Sequence, residues 1–207
     1  MDKTDFLATR STLLNRMKND GDQEGWVDFF NTYWKLIYSV AKKVGLSDAD
    51  AQDVVQETIL TVHRKIKEFD YDRNKGSFKG WLKVITRSRI NDHFRKQSRR
   101  PDKPNQHIND EDKSGPDETI PDPDGFELER IWDQEWQSHR ASIALERVKQ
   151  QVSPKQFQIF DCYVLKEWSV EDIKRKLDYS SGQIYMAKYR VGKLLKQELE
   201  ILLEEEE

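Results

Sequence analysis

Apolar residues in the first part of the chain recur every three or four positions, which is the spacing of a helix with one buried face. Ser47 and Ser77 precede two of these series and are placed to cap them. The pattern therefore predicts one short helix and three long ones. Their apolar positions are Phe6, Leu7, Leu13, Leu14 and Met17; Trp26, Phe29, Phe30, Tyr33, Ile37, Val40, Ala41 and Val44; Ala51, Val54, Val55, Ile59, Val62 and Ile66; and Phe78, Trp81, Leu82 and Ile85.

The same spacing predicts four further helices from residue 131 onward. Three of them open on cap signals, which are Ser153 with Pro154, Ser169 with Asp172, and Ser180 with Gln183. Their apolar positions are Ile131, Trp132, Leu145 and Val148; Phe157, Phe160, Tyr163 and Val164; Val170, Ile173 and Leu177; and Ile184, Ala187, Val191, Leu194, Leu195 and Leu202. Neither strand alternation nor a glycine-rich phosphate loop accompanies them, so the predicted fold is all-α.

A proline-rich acidic segment separates the two helical parts. Five of the six prolines fall between residues 101 and 123, with almost no apolar residue among them. Such a segment cannot bury enough surface to offset the entropy of ordering it, so we expect an extended or disordered tether. The sequence thus predicts a helical domain over 1–100, an acidic linker over 101–130 and a second helical domain over 131–207.

Charged residues are abundant and unevenly distributed. Of 207 residues, 35 are Lys or Arg and 38 are Asp or Glu, while 36% are hydrophobic, which favours two small cores over one large core. The net charge of -3 divides into +6 over 1–100, -7 over 101–130 and -2 over 131–207. Two stretches, 79–100 and 174–196, are strongly basic. Either stretch taken alone is equally typical of a solvated helix face.

Several kinds of site are not indicated by the sequence. Cys162 is the only cysteine, which excludes an intramolecular disulfide and a multi-cysteine zinc site and favours a small core residue. The histidines at 63, 93, 107 and 139 have no second ligand at metal-binding spacing. Apolar runs are too short to span a membrane, and the N-terminus lacks a signal peptide. We expect a soluble cytoplasmic protein, not an enzyme, with neither metal nor cofactor.

The last two predicted helices have the layout of a helix-turn-helix, whose second helix enters the DNA major groove. Its outward positions combine side chains that can recognise bases with side chains that can neutralise phosphates. These positions are Gln183, Tyr185, Met186, Lys188, Tyr189, Arg190 and Lys193, and Ser181 at the start of the helix is a further predicted DNA contact. The pattern favours DNA binding over an ordinary helical hairpin. Tyr185 and Tyr189 are equally compatible with core positions.

The first domain has two polar surfaces of different chemistry. Its basic stretch carries Trp81 and Phe94, and flat rings beside cations suit single-stranded nucleic acid, although each ring alone is more typical of a core. Asp53, Gln56 and Glu57 share one face of their helix. Because no nucleophile or histidine accompanies these carboxylates, they predict a docking face for a basic partner rather than acid–base chemistry.

Three segments of the first domain carry a family resemblance. Residues 50–57 (DAQDVVQE), 76–82 (GSFKGWL) and 92–95 (DHFR) resemble the DAEDLVQE, GSFRGWL and DHLR segments of extracytoplasmic-function sigma factors in the sigma-70 family. Residues 169–190 are similar to the helix-turn-helix of that family. The C-terminal part resembles a branch common in planctomycete-type bacteria. The resemblance implies two helical domains on a tether, in agreement with the periodicity.

The resemblance also implies a function, that of a non-catalytic transcription initiation factor. Such a factor binds core RNA polymerase, recognises double-stranded and melted promoter DNA, and has an anti-sigma factor as a further possible partner. Asp53, Gln56 and Glu57 match the family's polymerase contacts, and the last helix matches the part that recognises the -35 element. Residues implied in -10 recognition and melting are Trp81, Arg87, Ser88, Asp92, Arg95 and Arg99. We expect a monomer when the protein is free.

Two positions depart from the family pattern. Ser88 stands where the family usually has Asn, and Lys174 stands where the short helix usually has Ala. These departures bear on the handling of the DNA strand and on helix packing. Two other interpretations stay open at this point: a helix-turn-helix regulator that acts without polymerase, and a helical adaptor whose basic stretches bind an acidic protein.

Overall fold

The computed structural model describes residues 10–19, 21–69, 77–98 and 125–204, and every regular element within these ranges is helical. The all-α prediction is confirmed. A π-helical turn, Asp161–Leu165, follows the sixth helix directly. The helices in chain order are α1 (Arg10–Met17), α2 (Gln23–Lys43), α3 (Asp48–Lys65), α4 (Phe78–Ser98), α5 (Gly125–Gln151), α6 (Pro154–Phe160), α7 (Val170–Leu177) and α8 (Ser181–Glu204).

The chain divides into two compact units between Trp136 and Gln137, which is a point inside α5. Helix α5 begins at Gly125, within the segment predicted as linker, and buries Leu128 in the first unit. The predicted linker residues 101–124 lie outside the described ranges, so the tether stays a prediction.

Predicted serine caps begin most of the helices. Ser47 and Ser77 each accept a hydrogen bond, at 3.2 Å, from the backbone N–H three residues later. Ser153 and Ser180 form complete capping boxes with the glutamines three positions on. Ser169 accepts from the backbone in the same way, but the aspartate three positions on binds the serine hydroxyl instead of its N–H. Only half of that predicted box forms.

The first unit is built around an aromatic core to which α1 to α4 and the first half of α5 contribute. Phe29 and Phe78 are buried, with ring centroids 6.3 Å apart in an edge-to-face arrangement. Trp132 and Trp136 are 0% and 1% exposed, and Trp136 lies 6.2 Å from the ring of Tyr33. Trp132, which the sequence groups with the second domain, therefore packs with the first unit. The predicted core positions Phe6 and Leu7 lie outside the described residues.

The second unit holds the predicted helix-turn-helix. Ile173 of α7 and Ile184 of α8 are fully buried in a cluster with Cys162, whose predicted core position is confirmed. Asp178 ends α7 in the left-handed conformation with φ of 56°, and this residue turns the chain toward α8. None of the described helices combines the length and the apolar run that a membrane span needs.

Candidate functional site

An open groove of about 350 Å³ lies between α3 and α4. Helix α3 turns Val54 and Val55 into the core, so that Asp53, Gln56 and Glu57 all lie exposed on its outer side. The three residues predicted as one docking face are therefore brought together along one wall. The opposite wall comes from α4. The polar residues that line the groove are Asp50, Asp53, Gln56, Glu57, Arg89, Asp92, His93, Lys96 and Gln97.

The two ends of the groove differ in how their charges are paired. His93 Nε2 lies 3.1 Å from Asp50 Oδ1, which ties α4 to α3 at one end. Arg89 pairs with Asp92 on its own helix at 3.1 Å, while its buried Nε has no hydrogen-bond partner in the described part of the chain. Asp53 and Glu57 make no ion pair with any described residue. Two free carboxylates on an exposed wall suit a partner that supplies cations.

The residues predicted to act in promoter melting lie on more than one side of α4. Positions 81, 88, 92 and 95 follow one stripe at spacings of seven, four and three, whereas Arg87 lies on a different edge. Ser88 and Arg95 are exposed, and Asp92 lines the groove. Trp81 is half-buried and packs on Phe69, with ring centroids 4.6 Å apart. Arg99 lies outside the described residues.

Helix α8 exposes nearly all of its predicted DNA-contacting residues. Ile184, Ala187 and Val191 form its buried stripe. Tyr185 and Tyr189 are 54% and 67% exposed, so neither is a core residue. Ser181 is half-buried at the N-terminus of the helix. The other predicted residues on α8, all exposed, are Gln183, Met186, Lys188, Arg190 and Lys193.

Tyr163 supports two of these side chains and was missed by the sequence analysis as a functional residue. Its ring makes an edge-to-face contact with Tyr185, at 6.1 Å between centroids. Lys188 Nζ lies 5.4 Å from the centre of the same ring, within the range of a cation–π interaction. The periodicity of the sequence placed Tyr163 in the core. In the structure its ring is only partly buried and also contacts the two exposed side chains.

No group of three or more histidine, cysteine or acidic side chains within the described ranges is close enough to hold a metal ion. The candidate surfaces are charged and aromatic: the α3–α4 groove and the outer side of α4 in the first unit, and α8 in the second unit. Such surfaces bind macromolecules through electrostatics and stacking.

Residues 29–100 match the family model of sigma-70 region 2. The match takes in most of α2, together with α3 and α4, and so contains the whole groove. Over these residues the chain is similar to the sigma-70 family, in agreement with the resemblance of the DVVQE, GWL and DHFR segments. The matched residues lie within the first of the two compact units.

A bacterial sigma factor is similar to part of this chain. An 82-residue segment is 29% identical to the ECF RNA polymerase sigma factor SigE of Mycolicibacterium smegmatis. The aligned segment covers 38% of this chain and 30% of that protein, so the chain spans less than a third of the relative's length. The type of sigma factor in that name is the extracytoplasmic-function type that the sequence predicted.

Proposed function

We propose that this chain is a transcription initiation factor that binds core RNA polymerase, directs it to specific promoters and helps to melt the DNA. The observation that carries the proposal is the match of sigma-70 region 2 to the helices that form the α3–α4 groove. Acting on RNA polymerase would place the protein in the cytoplasm. The chain's own residues would act by binding and positioning, without a catalytic group.

The polymerase contact is assigned to Asp53, Gln56 and Glu57 on the wall of the groove. All three are exposed, and both carboxylates are free of cationic partners among the described residues. An ion pair formed with a basic partner at this wall would not have to break an existing pair first. Charge-assisted hydrogen bonds at such an interface favour a defined orientation and fast association.

The contacts with promoter DNA are assigned to α4 and α8. The exposed edge of α4 with Ser88 and Arg95 would contact the -10 element and the melted strand, where cations neutralise phosphates and rings stack on bases. Helix α8 would lie in the major groove at the -35 element, with Gln183 and Met186 near its N-terminus toward base edges. Lys188, farther along, would meet phosphates.

A pull-down with purified core RNA polymerase tests the proposal. The variant Asp53→Lys with Glu57→Lys is expected to lose core binding and core-dependent transcription, with an unchanged circular dichroism spectrum. A matched control, Glu68→Lys with Glu146→Lys, makes the same charge change at exposed positions away from the groove and should bind as the parent does.

The outcome separates this proposal from the two other interpretations. A parent chain that binds duplex DNA but never core polymerase would be a helix-turn-helix regulator. A parent chain that binds neither would be an adaptor. If the parent binds core polymerase and the folded double variant binds equally well, the polymerase contact lies elsewhere on the molecule.

A further inference from the structure

The first half of α5 brings carboxylates onto a basic edge of α4. Lys79 Nζ lies 2.7 Å from Asp133 Oδ1, and Lys83 Nζ lies 3.3 Å from Glu129 Oε1. The two lysines are four residues apart on α4, and the two carboxylates are four residues apart on α5. Each set of two side chains therefore lies on one face of its helix. We call Lys79 with Lys83 the lysine edge, and Glu129 with Asp133 the acidic ladder.

We propose that the lysine edge is a binding site for the DNA backbone, and that the acidic ladder occupies it as an internal competitor. The inference rests on the proposed function, because it needs α4 to meet promoter DNA. It adds Lys79 and Lys83 to the predicted contact residues and gives α5 a regulatory role.

The exposure of the side chains indicates that these pairs can exchange partners. Glu129 and Asp133 are 50% and 56% exposed, and the lysines are about one-third exposed. Ion pairs in contact with solvent are weak and sensitive to salt. A phosphate, which carries the same charge as the carboxylate, can therefore replace it at the lysine without unfolding the neighbouring backbone.

The anchoring of α5 does not depend on the acidic ladder. Trp132 and Trp136 are fully buried in the first unit, and Glu135, whose side chain is only 11% exposed, pairs with Lys43 of α2 at 2.5 Å. Burial opposes ionisation of Glu135, but the hydrogen bonds from Lys43 and Ser39 outweigh it and lower its pKa. These contacts would hold α5 in place while the lysines turn to DNA.

The lysine edge continues toward a residue already assigned to promoter melting. Arg87 lies four residues beyond Lys83 and is half-exposed on the same edge of α4. With the ladder paired, two of the three cations on this edge are neutralised. Releasing the ladder would give α4 a continuous cationic edge for a nucleic-acid strand, in which each phosphate contact strengthens both the affinity and its dependence on salt.

Binding of the full chain to a short fluorescein-labelled single-stranded DNA, followed by anisotropy over a range of salt concentrations, tests the inference. Glu129→Gln with Asp133→Asn is expected to bind about three- to tenfold more tightly at low salt. Its plot of log affinity against log salt should steepen by about one to two units, since each newly engaged phosphate adds slightly less than one.

A matched control removes two carboxylates that have local partners on α5. Glu127 and Glu146 pair with Arg130 and Lys149 three residues away, so Glu127→Gln with Glu146→Gln makes the same charge change without touching α4. This control should shift the affinity less than twofold. Adding Lys79→Gln and Lys83→Gln to the ladder variant should abolish its gain, because the two sets of residues act through each other.

Three results would overturn the inference. If the ladder variant and the control bind DNA equally well, the ladder only anchors α5. In that case the ladder variant should also have a lower melting temperature than the parent. If the ladder variant still bound DNA more tightly after the two lysines were replaced, the DNA would bind at another place on the molecule. If even the parent chain fails to bind DNA at low salt, the DNA-binding part of the proposed function fails too, whereas the pull-down with core polymerase still tests the rest.

Discussion

Gln183 illustrates how one side chain at the start of α8 could serve both a helix cap and the proposed contact with DNA. Its Oε1 accepts a hydrogen bond from Ser180 N–H at 2.8 Å, and its own N–H binds the Ser180 hydroxyl at 3.3 Å. The carbonyl end of the amide is therefore engaged in the cap. The Nε2 end keeps its two donors, so any hydrogen bond to a base from Gln183 would have to come from that nitrogen.

Two substitutions at this position should separate the cap from DNA recognition. Gln183→Ala removes the capping acceptor and should lower the free energy of unfolding by about 1 kcal/mol as well as the affinity for promoter DNA. Gln183→Glu keeps an acceptor and a favourable charge at the helix N-terminus, so stability should hold while repulsion weakens DNA binding. Urea denaturation and anisotropy measure the two effects. If Gln183→Glu binds DNA as tightly as the parent does, the Gln183 side chain caps the helix and does not contact DNA.

Asp22 should give the first unit part of its stability against acid. The hydrogen bond from Arg16, at 2.9 Å, and that from Gly25 N–H lower the pKa of Asp22 below its usual value of 3.8. A carboxyl whose pKa is lower in the folded state stabilises the fold above its unfolded pKa, and this contribution is lost as the pH falls through the folded pKa. The charged form is thus needed for the Arg16 contact.

Asp22→Asn tests this dependence, because asparagine keeps a capping oxygen but has no charge. The difference in urea midpoint between parent and variant should be constant from neutral pH down to about pH 5 and should shrink below about pH 4. Midpoints measured in steps across this range are sufficient. A difference that persists unchanged at about pH 2 would show that the pair with Arg16 contributes nothing.

At this scale the sequence predicted contacts between near neighbours and missed those between distant ones. Serine caps such as Ser153 depend on a residue three positions away, which the sequence displays directly. The pairing of Arg16 with Asp28, at 2.8 Å, joins α1 to α2 and depends on how two helices pack. Nothing in the spacing of these two residues indicates it.

At the scale of elements, α5 and α8 of the second unit are joined by a nearly buried ion pair. Arg147 Nη1 lies 3.5 Å from Glu198 Oε2, with the two side chains only 9% and 13% exposed. Gln151 Nε2 donates to the other oxygen of the same carboxylate at 2.5 Å. Removing one member of such a pair leaves a poorly solvated charge, which costs more than the pair contributes.

Glu198→Ala should therefore lower the free energy of unfolding of the second unit by about 3 kcal/mol. Arg147→Met combined with Glu198→Leu should recover most of that loss, since apolar side chains of similar volume need no desolvated partner. Urea denaturation of the three proteins gives the comparison. A double variant as unstable as Glu198→Ala would mean that the ion pair itself, and not the desolvation of Arg147, decides how firmly the helices are held together.

The order of the helices and the serine-capped starts of five of them were predictable, whereas one irregular turn was not. Apolar spacing and caps predicted a single helix through Phe157 and Val164, but the chain passes from α6 into a π-helical turn at Asp161. Trp168 N–H then reaches back to the Cys162 carbonyl at 2.9 Å. In a π-helical turn each backbone hydrogen bond spans one residue more than in an α-helix. A single such turn moves the apolar positions too little to disturb a three- or four-residue pattern.

At the scale of the whole molecule, charge misplaced the boundary between the linker and α5. Glu127 and Glu129 extend the acidic composition of the proline-rich segment, which set the predicted linker end at 130. In the structure these residues already belong to α5, and Glu129 pairs with Lys83. Composition cannot distinguish a solvated acidic segment from an acidic helix face with a basic partner, because the partner lies more than forty positions away in the sequence.

Because α5 is shared, a single buried residue on its first half should affect one unit and spare the other. Trp132→Ala removes an indole that is 0% exposed and stacks on Trp136 at 5.7 Å, at an expected cost of about 3 to 5 kcal/mol. Hydrogen exchange followed by mass spectrometry should therefore accelerate in α2 and α4. Peptides from α7 and α8 should exchange as in the parent.

Val148→Ala, on the second half of the same helix, is the matched control. Val148 is fully buried in a cluster with Phe160 and Val191, so its truncation should accelerate exchange in α6 and α8 and leave α2 and α4 protected. Opposite patterns from two substitutions on one helix would show that the division after Trp136 separates two cooperative units. Acceleration everywhere in both variants would mean instead that α5 couples the units into one, and that neither half of the chain could open alone.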